Sequence, residues 1–211
     1  MTRSALPGII AMAAIVVVSN ILVQHLLGQW LTWGALTYPL AFLVTDLMNR
    51  LHGPAMARQV VFVGFIVGVF CSLVGTQIMG EFGPLVTLRV AVGSGVAFLT
   101  AQLMDVGIFH ALRRGAWWRA PLASTVVGSA VDTAIFFTIA FSAAFNAMEG
   151  ENIPSWAQDL VPLLGAGPEA PLWVSLAVAD FGVKIALALL ALVPFRVIVA
   201  SVAGGREKSL T

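Results

Sequence analysis

Long apolar runs recur along the chain, separated by short polar connections. A membrane-spanning helix needs about 20 mostly apolar residues, and six stretches qualify, over residues 6–27, 34–51, 59–79, 88–112, 120–145 and 172–199. The second is the weakest, because Gly34 and Pro39 interrupt it. Pro39 fits the first turn of a helix, where its missing N–H costs nothing. Residues 29–36, with Trp30 and Trp33, then read as a re-entrant or interfacial loop. The first run follows Arg3 but exceeds the roughly 7–15 apolar residues of a cleaved signal peptide, so it is expected to be retained. The pattern predicts an all-α, polytopic membrane protein with six transmembrane helices, residues 1–211 forming a single transmembrane domain.

Composition agrees with this pattern. Of 211 residues, 59% are hydrophobic and 10% charged, and the mean hydropathy is +0.96; soluble domains carry about 25% charged residues. A net charge of +1 gives no reason to expect a nucleic-acid partner. Cys71 is the single cysteine, so no intrachain disulfide is expected, and no Cys/His spacing suits a metal. No Walker A pattern is present, and no cofactor is expected.

Basic residues predict the orientation. Arg3, Arg50, Arg58, Arg113, Arg114, Arg119, Arg196, Arg206 and Lys208 fall on one side of the six spans, and only Arg89 on the other. By the positive-inside rule both termini are cytoplasmic. The fifth connection, with Glu149, Glu151, Asp159 and Glu169, then lies outside; its four prolines, with Gly165 and Gly167 among them, suggest a flexible lid or a short surface helix. Trp117 and Trp118 beside Arg119 read as an interfacial belt.

Four of the five aspartates, Asp46, Asp105, Asp132 and Asp180, fall within or at the ends of these spans. An ionisable group at membrane depth costs several kcal/mol, so it faces a partner, a cavity or a substrate. Asp105 and Asp132 both open the pattern D-x-x-I-F, with Gln102 and Ser129 three residues earlier on the same helix face. Asn20 and Gln24 share a face of the first helix. Asp180 and Lys184, four apart, are either an internal ion pair or the rim of a site. Asp46 either pairs with Arg50 or Arg58 or meets a ligand. Counting depth along the spans, a cavity entered from outside meets Asn20 and Asp180 first, then Gln102 and Asp132, with Asp105 as its floor. Trp33, Phe42 and Phe98 are candidates to stack on a flat ligand. Such a lining suits a planar, donor-rich molecule, neutral or cationic. One carboxylate accepts both the N1–H and the exocyclic amine of a guanine-like edge, though these residue types suit a cation or a drug-like amine equally.

Residues Trp33 to Pro39, Phe42 to Asp46 and His52-Gly53 form one signature. Arg89, Ala97-Phe98, Gln102, Asp105 and Ile108-Phe109 form a second, and Trp117 to Arg119, Ala123 to Thr125, Asp132-Thr133 and Phe136-Phe137 a third. With Asp180 and Lys184, these make the chain resemble the queuosine precursor transporters of the vitamin uptake transporter family. The resemblance implies a six-helix bacterial inner-membrane importer of 7-deazaguanines, such as 7-cyano- and 7-aminomethyl-7-deazaguanine, destined for the tRNA nucleoside queuosine. It also implies a fold similar to the substrate-binding components of energy-coupling-factor transporters, which makes the binding subunit of an ATP-driven system the alternative. The candidate substrate-binding set is Asn20, Trp33, Phe42, Asp46, Phe98, Gln102, Asp105, Ser129, Asp132, Asp180 and Lys184. Arg50, His52 and Ser129 stand where many members carry Glu, Tyr and an amide. The first helix has no two alanines four apart, the spacing by which such binding subunits dock, so a stand-alone carrier is expected, with Asp105 or Asp132 as carrier of a coupling proton. The expected partners are the substrate and the lipid bilayer; the oligomeric state is open, a homodimer included. An intramembrane protease is disfavoured because no Gly-x-Gly-Asp or His-Glu-x-x-His occurs.

Overall fold

The computed structural model describes residues 5–81, 83–148 and 153–208, with side chains described as far as Val202. The expectations placed on Arg3, Glu149, Glu151, and the side chains of Arg206 and Lys208 fall outside these residues. Seven α-helices are described: α1 Leu6–Leu22, α2 Gly34–Thr37, α3 Leu40–His52, α4 Pro54–Gln77, α5 Leu88–Leu112, α6 Arg119–Phe141 and α7 Leu172–Lys208. Three small antiparallel hairpins join them: β1 Leu26–Leu27 with β2 Leu31–Thr32, β3 Met79–Gly80 with β4 Gly83–Pro84, and β5 Leu160–Pro162 with β6 Glu169–Pro171.

Four helices, α4, α5, α6 and the Leu172–Val202 part of α7, are long and apolar enough to cross a membrane, and α1 is a shorter apolar helix. The six continuous spans of the sequence pattern are therefore modified. The first ends at Leu22 rather than 27, because residues 26–32 turn back as the β1–β2 hairpin. The second is split at Tyr38–Pro39 into the single turn of α2 and the 13-residue α3. At a rise of 1.5 Å per residue α3 is about 20 Å long, short of the roughly 30 Å hydrocarbon core. The third begins at Pro54, whose ring suits the first helical turn. The fifth stops at Phe141, where the chain tightens into a 3-10 helix over Ala143–Met148.

The weakest stretch of the hydrophobic pattern forms the hub. Ala41, Phe42, Val44, Thr45, Asp46, Met48 and Asn49 of α3 are buried, and α3 packs against α1, α4, α5, α6 and α7. Its surroundings are protein rather than lipid, so polar residues are tolerated there once paired. Its apolar side joins Met12 and Val16 of α1 and Ala57, Val60 and Val61 of α4 in the main core. Two glycines make this geometry possible. Gly53 turns the corner from α3 to α4 with φ +90°, a left-handed conformation that a side chain resists. Gly34 lets α2 lie on the end of α1, where a Cβ would stand 2.9 Å from the Val23 backbone.

Arginines mark the two ends of the bundle. At one end Arg50 Nη1 donates to the Arg113 carbonyl at 2.7 Å, and Arg196 lies 4.8 Å over the Trp117 ring. At the other, Arg89 is fully buried. Its guanidinium donates to the carbonyls of Ile139 and Ser142, and to Asn146 Oδ1 at 3.0 Å, where α6 ends. The lone basic residue of the side assigned to the exterior is thus a clamp that satisfies the last carbonyls of a helix.

Candidate functional site

A cavity of about 400 Å³ opens between α1, α2, α4, α5, α6 and α7, within the size range of sites for small molecules. Trp30 and Leu31 of the β1–β2 hairpin border it on one side, and Trp156 of the connection before α7 on another. The described residues of that connection, expected as a lid or short surface helix, form 3-10 turns and the β5–β6 hairpin. It is tied down where Gln158 donates to the Phe141 carbonyl and the Leu164 N–H donates to Ser175 Oγ at 3.1 Å.

The polar end of the cavity is an ionic triad. Lys184 Nζ lies 2.6 Å from Asp132 Oδ2 and 2.5 Å from Asp180 Oδ2, and it donates to Thr133 Oγ1 at 3.0 Å. Thr133 Oγ1 in turn donates to Asp180 Oδ2 at 2.8 Å. Helical spacing builds this group: Asp180 and Lys184 are one turn apart on α7, and Asp132 and Thr133 meet them from α6. Asp132 and Lys184 are almost fully buried, so the pair is stable only because each charge is matched. Two carboxylates against one ammonium leave a formal charge of −1. Both Oδ2 atoms are committed to Lys184. Asp132 Oδ1 has only a long contact from the Tyr38 hydroxyl, 3.5 Å, and Asp180 Oδ1 has no hydrogen bond among the described residues. The wall above is aromatic: the Tyr38 ring stands 5.9 Å from Lys184 Nζ and 6.0 Å from Phe98, and Phe136, Phe137 and Phe141 continue it.

Of the residues singled out in the sequence, Asn20, Phe98, Asp132, Asp180 and Lys184 line this cavity. Asn20 Nδ2 is held by the Val16 carbonyl at 2.9 Å. Trp33, Phe42, Asp46, Gln102, Asp105 and Ser129 do not line it. Trp33 is half exposed at the head of α2. Phe42 is buried against Gly128, where a Cβ would come within 2.7 Å of its ring. The depth order read from the sequence therefore changes, since the cavity stops at the Lys184 triad and reaches neither Gln102 nor Asp105. Antiparallel α5 and α6 carry their matching D-x-x-I-F segments to different levels.

The remaining polar residues form a second buried layer between α3, α5 and α6. Asp46 accepts from Ser124 Oγ and Thr125 Oγ1, each at 3.2 Å. Neither Arg50 nor Arg58 pairs with it; they bond to the Arg113 and Pro54 carbonyls. Thr45 Oγ1 donates to Gln102 Oε1 at 2.6 Å, and Asn49 Nδ2 to the Val106 carbonyl at 2.9 Å.

Sequence reasoning did not place Tyr38 and Thr133 in the site. Tyr38 is the single tyrosine of the chain, next to the helix-breaking Pro39, and that pairing is the signal that could have found it. Thr133 neighbours Asp132 on the helix face that meets α7.

The fold is thus that of a multi-pass membrane protein enclosing a ligand-sized cavity with a charged end and aromatic walls. A family model described as "Putative vitamin uptake transporter" matches residues 32–199. The chain belongs to this vitamin uptake transporter family. It is 33% identical over 190 residues to the "Queuosine precursor transporter" of Escherichia coli K12, covering 83% of this chain and 77% of that protein. It is 36% identical over 138 residues to the "Probable queuosine precursor transporter" of Haemophilus influenzae, covering 60% and 57%. A Bacillus subtilis protein of the same description is 32% identical over 143 residues, covering 58% and 62%. No solved structure matches the chain.

Proposed function

We propose that the protein imports queuosine precursors across the bacterial inner membrane, binding 7-deazaguanine bases such as 7-cyano- or 7-aminomethyl-7-deazaguanine in the cavity above the Lys184 triad. The observation that carries this reading is the half-used carboxylate of Asp132. Lys184 fixes its Oδ2, while Oδ1 faces the aromatic wall with only a 3.5 Å contact to Tyr38. A guanine edge brings two adjacent N–H donors to such a group, and burial strengthens that contact. Tyr38 and Phe98 offer rings for stacking. Asn20 and Asp180 lie within reach of the same cavity for the remaining polar atoms of the base. Both termini face the cytoplasm in this reading, which the gathering of Arg50, Arg113 and Arg196 at one end of the bundle supports. The cavity then lies on the periplasmic side. The matched relatives carry the name of queuosine precursor transporters, and a stand-alone carrier is the reading adopted.

The test is direct binding of several 7-deazaguanines to the purified protein by calorimetry. Asp132→Asn is expected to weaken binding by more than about 1.5 kcal/mol, or over tenfold. Unchanged binding by that variant refutes the placement, and no binding of any 7-deazaguanine by the wild type refutes the substrate.

A further inference from the structure

The cavity holds one more negative charge than its own residues balance. We infer that the site selects the cationic 7-aminomethyl base over the neutral 7-cyano base, with Asp180 as the residue that reads the substituent; this rests on the import reading.

Of the described residues that line the cavity, Asp132, Asp180 and Lys184 alone are charged. Two carboxylates there meet one ammonium. No arginine or histidine stands in the walls, whose other polar side chains are amides, hydroxyls and indoles. The balancing charge is thus left to the guest. An unmatched charge costs far more in surroundings of low dielectric than in water, so a ligand that brings a positive charge is favoured.

Geometry places the excess on Asp180. Its Oδ2 is held twice, by Lys184 Nζ at 2.5 Å and by Thr133 Oγ1 at 2.8 Å, while its Oδ1 has no hydrogen bond among the described residues. Its side chain is 14% exposed, against 4% for those of Asp132 and Lys184, so it is the most open charge of the triad. The three N–H donors of Lys184 are all taken, by Asp132, Asp180 and Thr133. A donor is therefore what Asp180 lacks, and a charged donor suits it best, because charge-assisted hydrogen bonds are the strong ones.

The base can supply that donor from the side it already presents. N1–H, the C6 carbonyl and the 7-substituent follow one another along one side of a 7-deazaguanine. Both Asp Oδ2 atoms touch the one ammonium nitrogen, so the two carboxylates stand side by side. With N1–H on Asp132 Oδ1, the carbonyl comes beside the Tyr38 hydroxyl, which lies 3.5 Å from that oxygen, and the substituent turns toward Asp180. An aminomethyl group, like a lysine amine, is protonated at neutral pH and brings N–H donors with its charge. A cyano group ends in an acceptor lone pair, which would face the carboxylate with no proton between them.

The affinities of 7-aminomethyl-, 7-hydroxymethyl- and 7-cyano-7-deazaguanine for the purified protein are measured by calorimetry at neutral pH, without sodium and then with it. The wild type is expected to bind the aminomethyl base at least about tenfold more tightly than either neutral base. Asp180→Asn is expected to lose that advantage: the aminomethyl base weakens more than about tenfold, and the two neutral bases change by less than about threefold. The hydroxymethyl base is close to the aminomethyl base in size but carries no charge, so its comparison in the wild type tests the proposal even where the variant does not fold. Equal binding of the three bases by the wild type, or tighter binding of the cyano base, overturns this proposal and leaves the import reading standing. A loss in Asp180→Asn that is the same for all three bases does so too. Cyano binding that sodium raises to the level of the aminomethyl base also overturns it, since a metal ion then balances the charge. Binding of none of the three by the wild type removes the import reading and this proposal with it.

Discussion

Replacing Lys184 by Met isolates the energetics of the site. Met keeps much of the side-chain volume and removes the one positive charge in the triad. In the wild type, Lys184 Nζ contacts Asp132 at 2.6 Å and Asp180 at 2.5 Å, with 4% of the Lys184 side chain exposed. Its loss leaves two carboxylates facing each other with Thr133 as their remaining shared neighbour. Breaking a buried pair by removing one partner costs about 3–5 kcal/mol. For a domain of this length each kcal/mol lowers the melting temperature by about 2–4 °C, so thermal unfolding of the detergent-purified protein should fall by roughly 6–20 °C. The cause is electrostatic, so removing the charges left behind should restore most of the loss. The triple variant Lys184→Met, Asp132→Asn, Asp180→Asn is expected to melt within a few degrees of the wild type, because neutralising a whole buried ionic group is often harmless to stability. A Lys184→Met protein as stable as the wild type, or a triple variant no better than the single one, refutes the view that the triad is a mutually dependent buried unit.

Other consequences are checked by similar means. Phe42→Ala is expected to destabilise by about 3–5 kcal/mol, because its ring fills the space that Gly128 leaves between α3 and α6; the same thermal assay reads it. Arg89→Ala should cost about 3 kcal/mol, since the Ile139 and Ser142 carbonyls and Asn146 lose their buried donor. Arg89→Lys should recover only part of this, because an ammonium lacks the fork that serves several acceptors. Gln102→Ala, one level below the cavity, should change 7-deazaguanine affinity less than threefold, against more than tenfold for Asp132→Asn; equal losses would show that the pocket extends below the triad. Reporter fusions that read cytoplasmic exposure should be active at both the N- and C-terminus, and activity at only one of them would overturn the assigned orientation.

Membrane character was plain from apolar length alone, because lipid-facing helices such as α4 and α7 must be apolar over nearly their whole surface. The acidic residues were equally visible, since a carboxylate in such a run stands out against its neighbours. The pattern blurred where helices meet protein instead of lipid. The stretch over residues 34–51 looked like a doubtful span because Thr45, Asp46 and Asn49 dilute it; burial among five other helices explains why those residues are there. The division of the polar residues between cavity and lower layer was not legible. Helical spacing shows which side chains share a face, but it gives neither the sliding of one helix past its neighbour nor the break at Tyr38–Pro39. Gln102 and Asp132 looked equally deep by counting residues, yet Gln102 closes on Thr45 and Asp132 on Lys184.

The brevity of α3 has an architectural result. No residue from Leu40 to His52 touches the cavity, whereas Tyr38, Gly34 and Ala35 just before it do. The hub helix acts as a half-height plug: it fills the inner storey of the bundle with solid packing and ends where the hollow begins. The room available to a guest is set by where Pro39 starts that plug, so shifting the break by a turn in either direction would raise or lower the floor.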